Sequence, residues 1–146
     1  MKNHLETAIE KFDNGFNCSQ SVLFSFCEEL KIEKDIALKI ACGFGGGMGR
    51  KGEVCGTVTG GIMAMGLKYG NDSNGGIEKI ELTRLKTREL MDNFTKIHGT
   101  YLCRKLLDDN DLNTEVGKNK FKELDLKNKV CKQCMSTVIN YLEEII

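Results

Sequence analysis

The chain has 146 residues, enough for one hydrophobic core and too few to suggest two. Twenty-one lysines and arginines balance twenty-one aspartates and glutamates, so no net charge draws the protein to nucleic acid or to a membrane surface. There is no proline, and Lys, Glu, Leu and Ile are abundant, which favours helices. In chain order, Leu5, Ala8, Ile9 and Phe12 recur at helical spacing and stop at Asn14-Gly15, predicting a first helix. Val22, Leu23, Phe26, Cys27 and Leu30 predict a second over 18–31, with Asn17 as its cap. Asp35 opens a short third helix carrying Ile36, Leu38 and Ile40, which ends in the glycine run at 43. Val54 to Leu67 is too long for an ordinary strand and is expected to be a helix held by packing, since its glycines and threonines are poor helix formers. Its Gly56, Gly60 and Ala64, four residues apart, leave one face nearly bare backbone. That face suits close packing within the chain or a homodimer.

After the loop NDSNGG (71–76), a long amphipathic helix is predicted over 77–98, with Ile77, Ile80, Met91, Phe94 and Ile97 inward and Gly99 ending it. Tyr101 to Leu107 reads as a short helical turn bearing Cys103, residues 108–127 as a polar stretch without a clear element, and 129–146 as a final helix. Its inward face carries Cys131, Cys134, Val138, Tyr141, Leu142 and Ile145. The expectation is one all-α domain over 1–146, of five to seven helices, with a glycine-rich loop leading into a central helix of small residues. The N-terminal MKNHLETAIEKF is charged where the apolar core of a signal peptide would stand. The most apolar run, VTGGIMAMGL, stops at Lys68, short of the roughly eighteen residues a membrane span needs. A cytoplasmic protein with no membrane insertion is expected.

Seven cysteines in such a chain, an odd number in a reducing compartment, argue for redox or metal chemistry over structural disulfides. The segment GFGGGMGRKGEVCGTVTGG places Cys55 in the first turn of the predicted helix over 53–69. Unpaired amides and the helix dipole there favour a thiolate, the reactive form of cysteine. On this reading Gly45, Gly46, Gly47, Gly49, Arg50 and Gly56 fold back so that amides and the Arg50 guanidinium face the sulfur. Two duller readings compete: a purely structural turn, and a nucleotide cradle. The second lacks both a preceding strand and the G-x-x-x-x-G-K-[ST] pattern.

Cys18 and Cys103 also stand at predicted helix starts, whereas Cys27 and Cys42 read as small buried hydrophobes. Cys131-Lys132-Gln133-Cys134 is a C-x-x-C, suited to disulfide exchange or to half of a four-thiolate metal site, but no second C-x-x-C accompanies it. His98, five residues before Cys103, is a ligand or base only if a partner exists; balancing the helix dipole is the commoner role, and His4 is expected at the surface. Met48, Met63 and Met65 are expected to serve packing, and the absence of C-x-x-C-H gives no support to covalent haem.

GFNCSQSVL (15–23), GFGGGMGRKGEVCGTVTGGIMAMGL (43–67), the cysteine in HGTYLCRKLL (98–107) and the cysteine-bearing final helix together resemble a family of small redox-active proteins named for the pattern C_GCAxxG_C_C. The resemblance spans nearly the whole chain. It implies that the family's four cysteines are Cys18, Cys55, Cys103 and Cys134, with Cys131 an addition of this sequence. Two positions depart from the pattern: Thr57 stands where the family has alanine, narrowing the space beside the sulfur, and Val54 where its name has glycine. A more distant similarity to the split-Soret cytochromes carries over no haem ligand. The expected function is thiol–disulfide chemistry centred on Cys55, with Cys18, Cys103 or Cys134 resolving, towards a redox partner protein or a small oxidant. The alternative is zinc or an iron–sulfur cluster held by the same four thiolates.

Overall fold

The computed structural model describes residues 2–146. Helix α1 (His4–Asp13) starts at a capping box, in which the Asn3 side chain accepts from the Glu6 amide and Glu6 accepts from the Asn3 amide. Asn17 and Gln20 repeat the device at the start of α2 (Cys18–Ser25). The helix predicted over 18–31 breaks at Phe26, and only one further turn, α3 (Cys27–Leu30), follows it. The hydroxyls of Ser21 and Ser25 donate back to the carbonyls of Asn17 and Val22, a competition that bends serine-rich helices. Helix α4 (Lys34–Ala41) is capped by Glu33 and tightens into a 3₁₀ turn over 42–44. After the loop come α5 (Gly56–Tyr69), α6 (Ile77–His98), α7 (Cys103–Leu106), α8 (Glu115–Glu123) and α9 (Lys132–Ile145), the last entered through a π turn over 127–131. The described residues thus hold nine α-helices and no strand, more helices than the five to seven expected. The surplus comes from the break at Phe26 and from α8, where the Thr114 hydroxyl caps the start by accepting the Gly117 amide.

Helix α5 lies at the centre, against α2, α6 and α9. Val22, Leu23, Phe26, Val58, Met65, Leu90, Phe94, Met135, Ile139 and Leu142 form the buried core around it. The bare face of α5 lies on Ser19 and Val22 of α2, so it is used within the chain. Leu90 and Phe94 are the buried residues of α6, whereas Ile77 and Ile97, expected inward, are 71% and 58% exposed. Cys27 is buried, as expected, with its thiol directed at the Leu23 carbonyl. Cys42 is exposed instead, because α4 turns Ala37 and Ala41 to the core and the next position faces out. Met65 is buried in the core and Met48 is exposed in the loop. Among the described residues no helix is long and apolar enough to cross a membrane.

His4 stacks on Phe26, with ring centroids 4.2 Å apart, and bonds to Glu29 at 2.7 Å and Glu143 at 3.0 Å. Partial burial opposes protonation, but the two carboxylates prevail and hold its pKa above the ordinary 6.5. Its raised pKa makes this contribution to stability complete below pH 6.5 and lost as pH rises through the folded value. Urea midpoints of the wild type should therefore fall between pH 6 and 8.5 by an amount equivalent to roughly 1 kcal/mol or less. The part due to His4 should vanish in His4→Gln, and an unchanged pH slope in that variant would refute the assignment.

Candidate functional site

The site begins with two loop segments lying antiparallel. Val54 pairs with Leu102; the Cys55 amide donates to the Tyr101 carbonyl at 2.8 Å, and the Cys103 amide to the Glu53 carbonyl at 2.7 Å. Side chains alternate along paired extended segments, so Cys55 and Cys103 emerge on the face opposite Val54 and Leu102. Two glycines bring further sulfur close. A Cβ on Gly47 would lie 2.8 Å from the Cβ of Cys103, and one on Gly56 would lie 3.1 Å from the Cβ of Cys18. Helix α9 and its entering π turn close the ring with Cys134 and Cys131. These five cysteines and the exposed Cys42 make six that line one cavity of about 790 Å³.

The structure therefore brings Cys18, Cys55, Cys103 and Cys134 together, and adds Cys131, which sequence reasoning had set aside. Its signal was the C-x-x-C spacing, whose two thiols act on different neighbours: Cys134 lowers the pKa of Cys55, and Cys131 raises that of Cys18. All seven cysteines are free thiols.

Cys55 is 6% exposed and occupies the N-cap of α5, one position before the first turn where it was expected. Its pKa is lowered to about 7, chiefly because the Cys134 thiol donates a hydrogen bond to its sulfur. Burial opposes this, while the Thr57 hydroxyl, 3.0 Å from the sulfur, and the amides of Thr57 and Val58 add to it. Thr57, one of the two residues that depart from the pattern, is thus in direct contact with the Cys55 sulfur. Cys134 moves the opposite way, raised by the same hydrogen bond and by burial. The Cys18 thiol is raised by its bond to Cys131 and by burial, and Cys103 is pushed up to about 12, first by burial and then by the charges of Cys55 and Cys131. The Cys55 thiol is thus made more acidic while those of Cys18, Cys103 and Cys134 are made less so.

The glycine loop acts differently from expectation. Residues 46–50 all have φ between 59° and 73°, a left-handed run that costs the non-glycine Met48 and Arg50 about 1–2 kcal/mol each. It closes on itself: the amides of Gly49, Gly52 and Glu53 donate to the carbonyls of Gly43, Gly46 and Gly47. The amides at the Cys55 sulfur are those of Thr57 and Val58, not those of the loop. Gly45, Gly46, Gly49, Arg50 and Gly56 still line the cavity, and Gly47 lies beneath Cys103. His98 is hydrogen-bonded to Thr137 of α9 at 2.7 Å and tilts against Phe94, and it is not among the cavity's lining residues. Among the described residues no three of His, Cys, Asp and Glu are grouped so as to hold a metal ion.

The helical fold thus converges five thiols, two buried and three half-buried, on one cavity. The chain belongs to the C_GCAxxG_C_C family: the family model described as "Putative redox-active protein (C_GCAxxG_C_C)" matches residues 16–145. No curated protein and no solved structure matches the chain.

Proposed function

We propose that the protein performs thiol–disulfide exchange, with Cys55 as nucleophile and Cys134 as the thiol that resolves the mixed disulfide. The observation that supports this is that Cys55 and Cys134 line the same cavity, where the Cys134 thiol is the neighbour that most lowers the Cys55 pKa. The Cys55 thiolate attacks one sulfur of a disulfide, the S–S bond of that molecule breaks, and one thiolate leaves. Cys134 then loses its proton and attacks the Cys55 sulfur, releasing the second thiolate and leaving a Cys55–Cys134 disulfide. The protein dithiol gives up two electrons and the substrate disulfide takes them. The thiols are free and not at disulfide distance, so joining them at about 2.05 Å requires movement of α9, which is entered through the π turn. Cys18, with Cys131 beside it, and Cys103 are the further partners in the same cavity.

Oxidising the reduced protein with a small disulfide and mapping its peptides tests the assignment. A bond between Cys55 and Cys134 is expected in the wild type, and a stable mixed disulfide on Cys55 in Cys134→Ala. Oxidation confined to Cys18 and Cys131, with Cys55 left free, would refute it.

A further inference from the structure

The cavity has a polarity that the sulfurs do not explain. Helix α8 turns Lys118, Phe121 and Lys122 onto it, residues related by i, i+3 and i+4 and so on one face. Arg50 joins them from the glycine loop, and no Asp or Glu is found among the residues that line the wall. The loop and the α7–α8 connection are tied together: the Asn113 side-chain amide donates to the Arg50 carbonyl at 2.7 Å, and Arg104 pairs with Asp111 at 3.7 Å. One carboxylate, Glu115, reaches Lys118 at 3.7 Å from the solvent side, an exposed pair that screens little of its charge. Phe12, Phe16 and Leu112 add apolar wall to the same cavity.

Access narrows the choice of oxidant. Cys55 and Cys134 are 6% and 1% exposed, so the disulfide of a folded protein cannot meet them without opening the fold. A cavity of about 790 Å³ is of the size that encloses a small molecule. We infer that it binds a low-molecular-weight anionic disulfide, with carboxylates on Arg50, Lys118 and Lys122 and the S–S bond directed at Cys55. This deepens the exchange reading proposed above and rests on it for the chemistry. In the reaction the disulfide is the oxidant: it is reduced to two thiols as Cys55 and Cys134 are oxidised.

Three probes of similar size separate charge from reactivity: dianionic 3,3′-dithiodipropionate, neutral bis(2-hydroxyethyl) disulfide and dicationic cystamine. Binding is measured by NMR titration of Cys55→Ser, which cannot react at that position. Oxidation is measured on the reduced wild type, each rate divided by that for a small free thiol. The dianion is expected to bind and to react about tenfold better than the dication. This preference should fall towards unity in a Lys118→Gln/Lys122→Gln variant and in Arg50→Gln. Equal binding of all three by Cys55→Ser, or preference for the dication, overturns the inference. Should the wild type then still be oxidised at Cys55, the exchange chemistry stands without this substrate class. Selective binding of the dianion with no oxidation of Cys55 would keep the anion site and sink the exchange chemistry instead.

Discussion

Replacing Cys134 with alanine is expected to move the titration midpoint of Cys55 from about 7 to above the free-thiol value near 8.5. The hydrogen bond from Cys134 is the largest influence lowering that pKa, and without it burial is opposed only by Thr57 and two amides. A rise of one and a half units corresponds to about 2 kcal/mol of lost preference for the thiolate. Serine at 134 keeps a donor and should restore part of the effect, which a purely structural role would not produce. Thr57→Val, which removes the hydroxyl 3.0 Å from the sulfur but keeps its shape, should raise the midpoint by less. The readout is alkylation of the Cys55 peptide by iodoacetamide as a function of pH. The midpoint is more informative than the rate at any one pH, because a less acidic thiol is intrinsically more nucleophilic and part of the loss is compensated. A midpoint unchanged in Cys134→Ala would remove the basis of the proposed mechanism.

What the sequence made legible was local. Asn17 ahead of Cys18 and Gly99 after His98 are signals carried by neighbouring residues, and α2 begins and α6 ends where those signals stand. The cysteines assigned by family resemblance meet in space, but the reason for their meeting is not local. It is the pairing of 52–55 with 101–104 and the seating of Gly47 and Gly56 on cysteine-bearing neighbours. Nothing in a linear pattern specifies that register. The abundance of glycine announced an unusual backbone without giving its direction, and the amides it freed turned to the loop's own carbonyls. Cys131, whose spacing from Cys134 is visible in the sequence, lines the cavity at the end of a π turn, a local departure from helix geometry that no linear pattern announces. Helix α8 was missed because its apolar content is low. Its boundary signals, Thr114 before and Lys120 and Lys122 near the end, were present, but no hydrophobic stripe drew attention to them.

Gly60→Val is expected to destabilise the protein by about 3 kcal/mol or more. A Cβ at position 60 would stand 2.8 Å from the Ser19 carbonyl oxygen and 3.2 Å from the Ser19 Cα, so the obstacle is backbone rather than a movable side-chain end. Valine adds two branched carbons in the same place and gains little helix propensity in return. Gly60→Ala is the graded case, since a propensity gain of about 1 kcal/mol works against an overpacking cost of about 1–3 kcal/mol. The control is Gly61→Ala, whose Cβ would meet the Val138 and Leu90 side chains at 2.8 Å and 3.1 Å. Those methyl groups belong to fully buried side chains, so its urea midpoint should fall as well, but the start of α2 is not involved and Cys18 reactivity should stay that of the wild type. Ser19 directly follows Cys18, and relief of the clash therefore has to displace the start of α2 along with its sulfur. A folded remnant of Gly60→Val should accordingly show altered Cys18 reactivity as well as a lower urea midpoint. Wild-type stability in that variant would mean that α2 and α5 do not cross as closely as described, and the convergence of sulfur at the cavity would lose its structural cause.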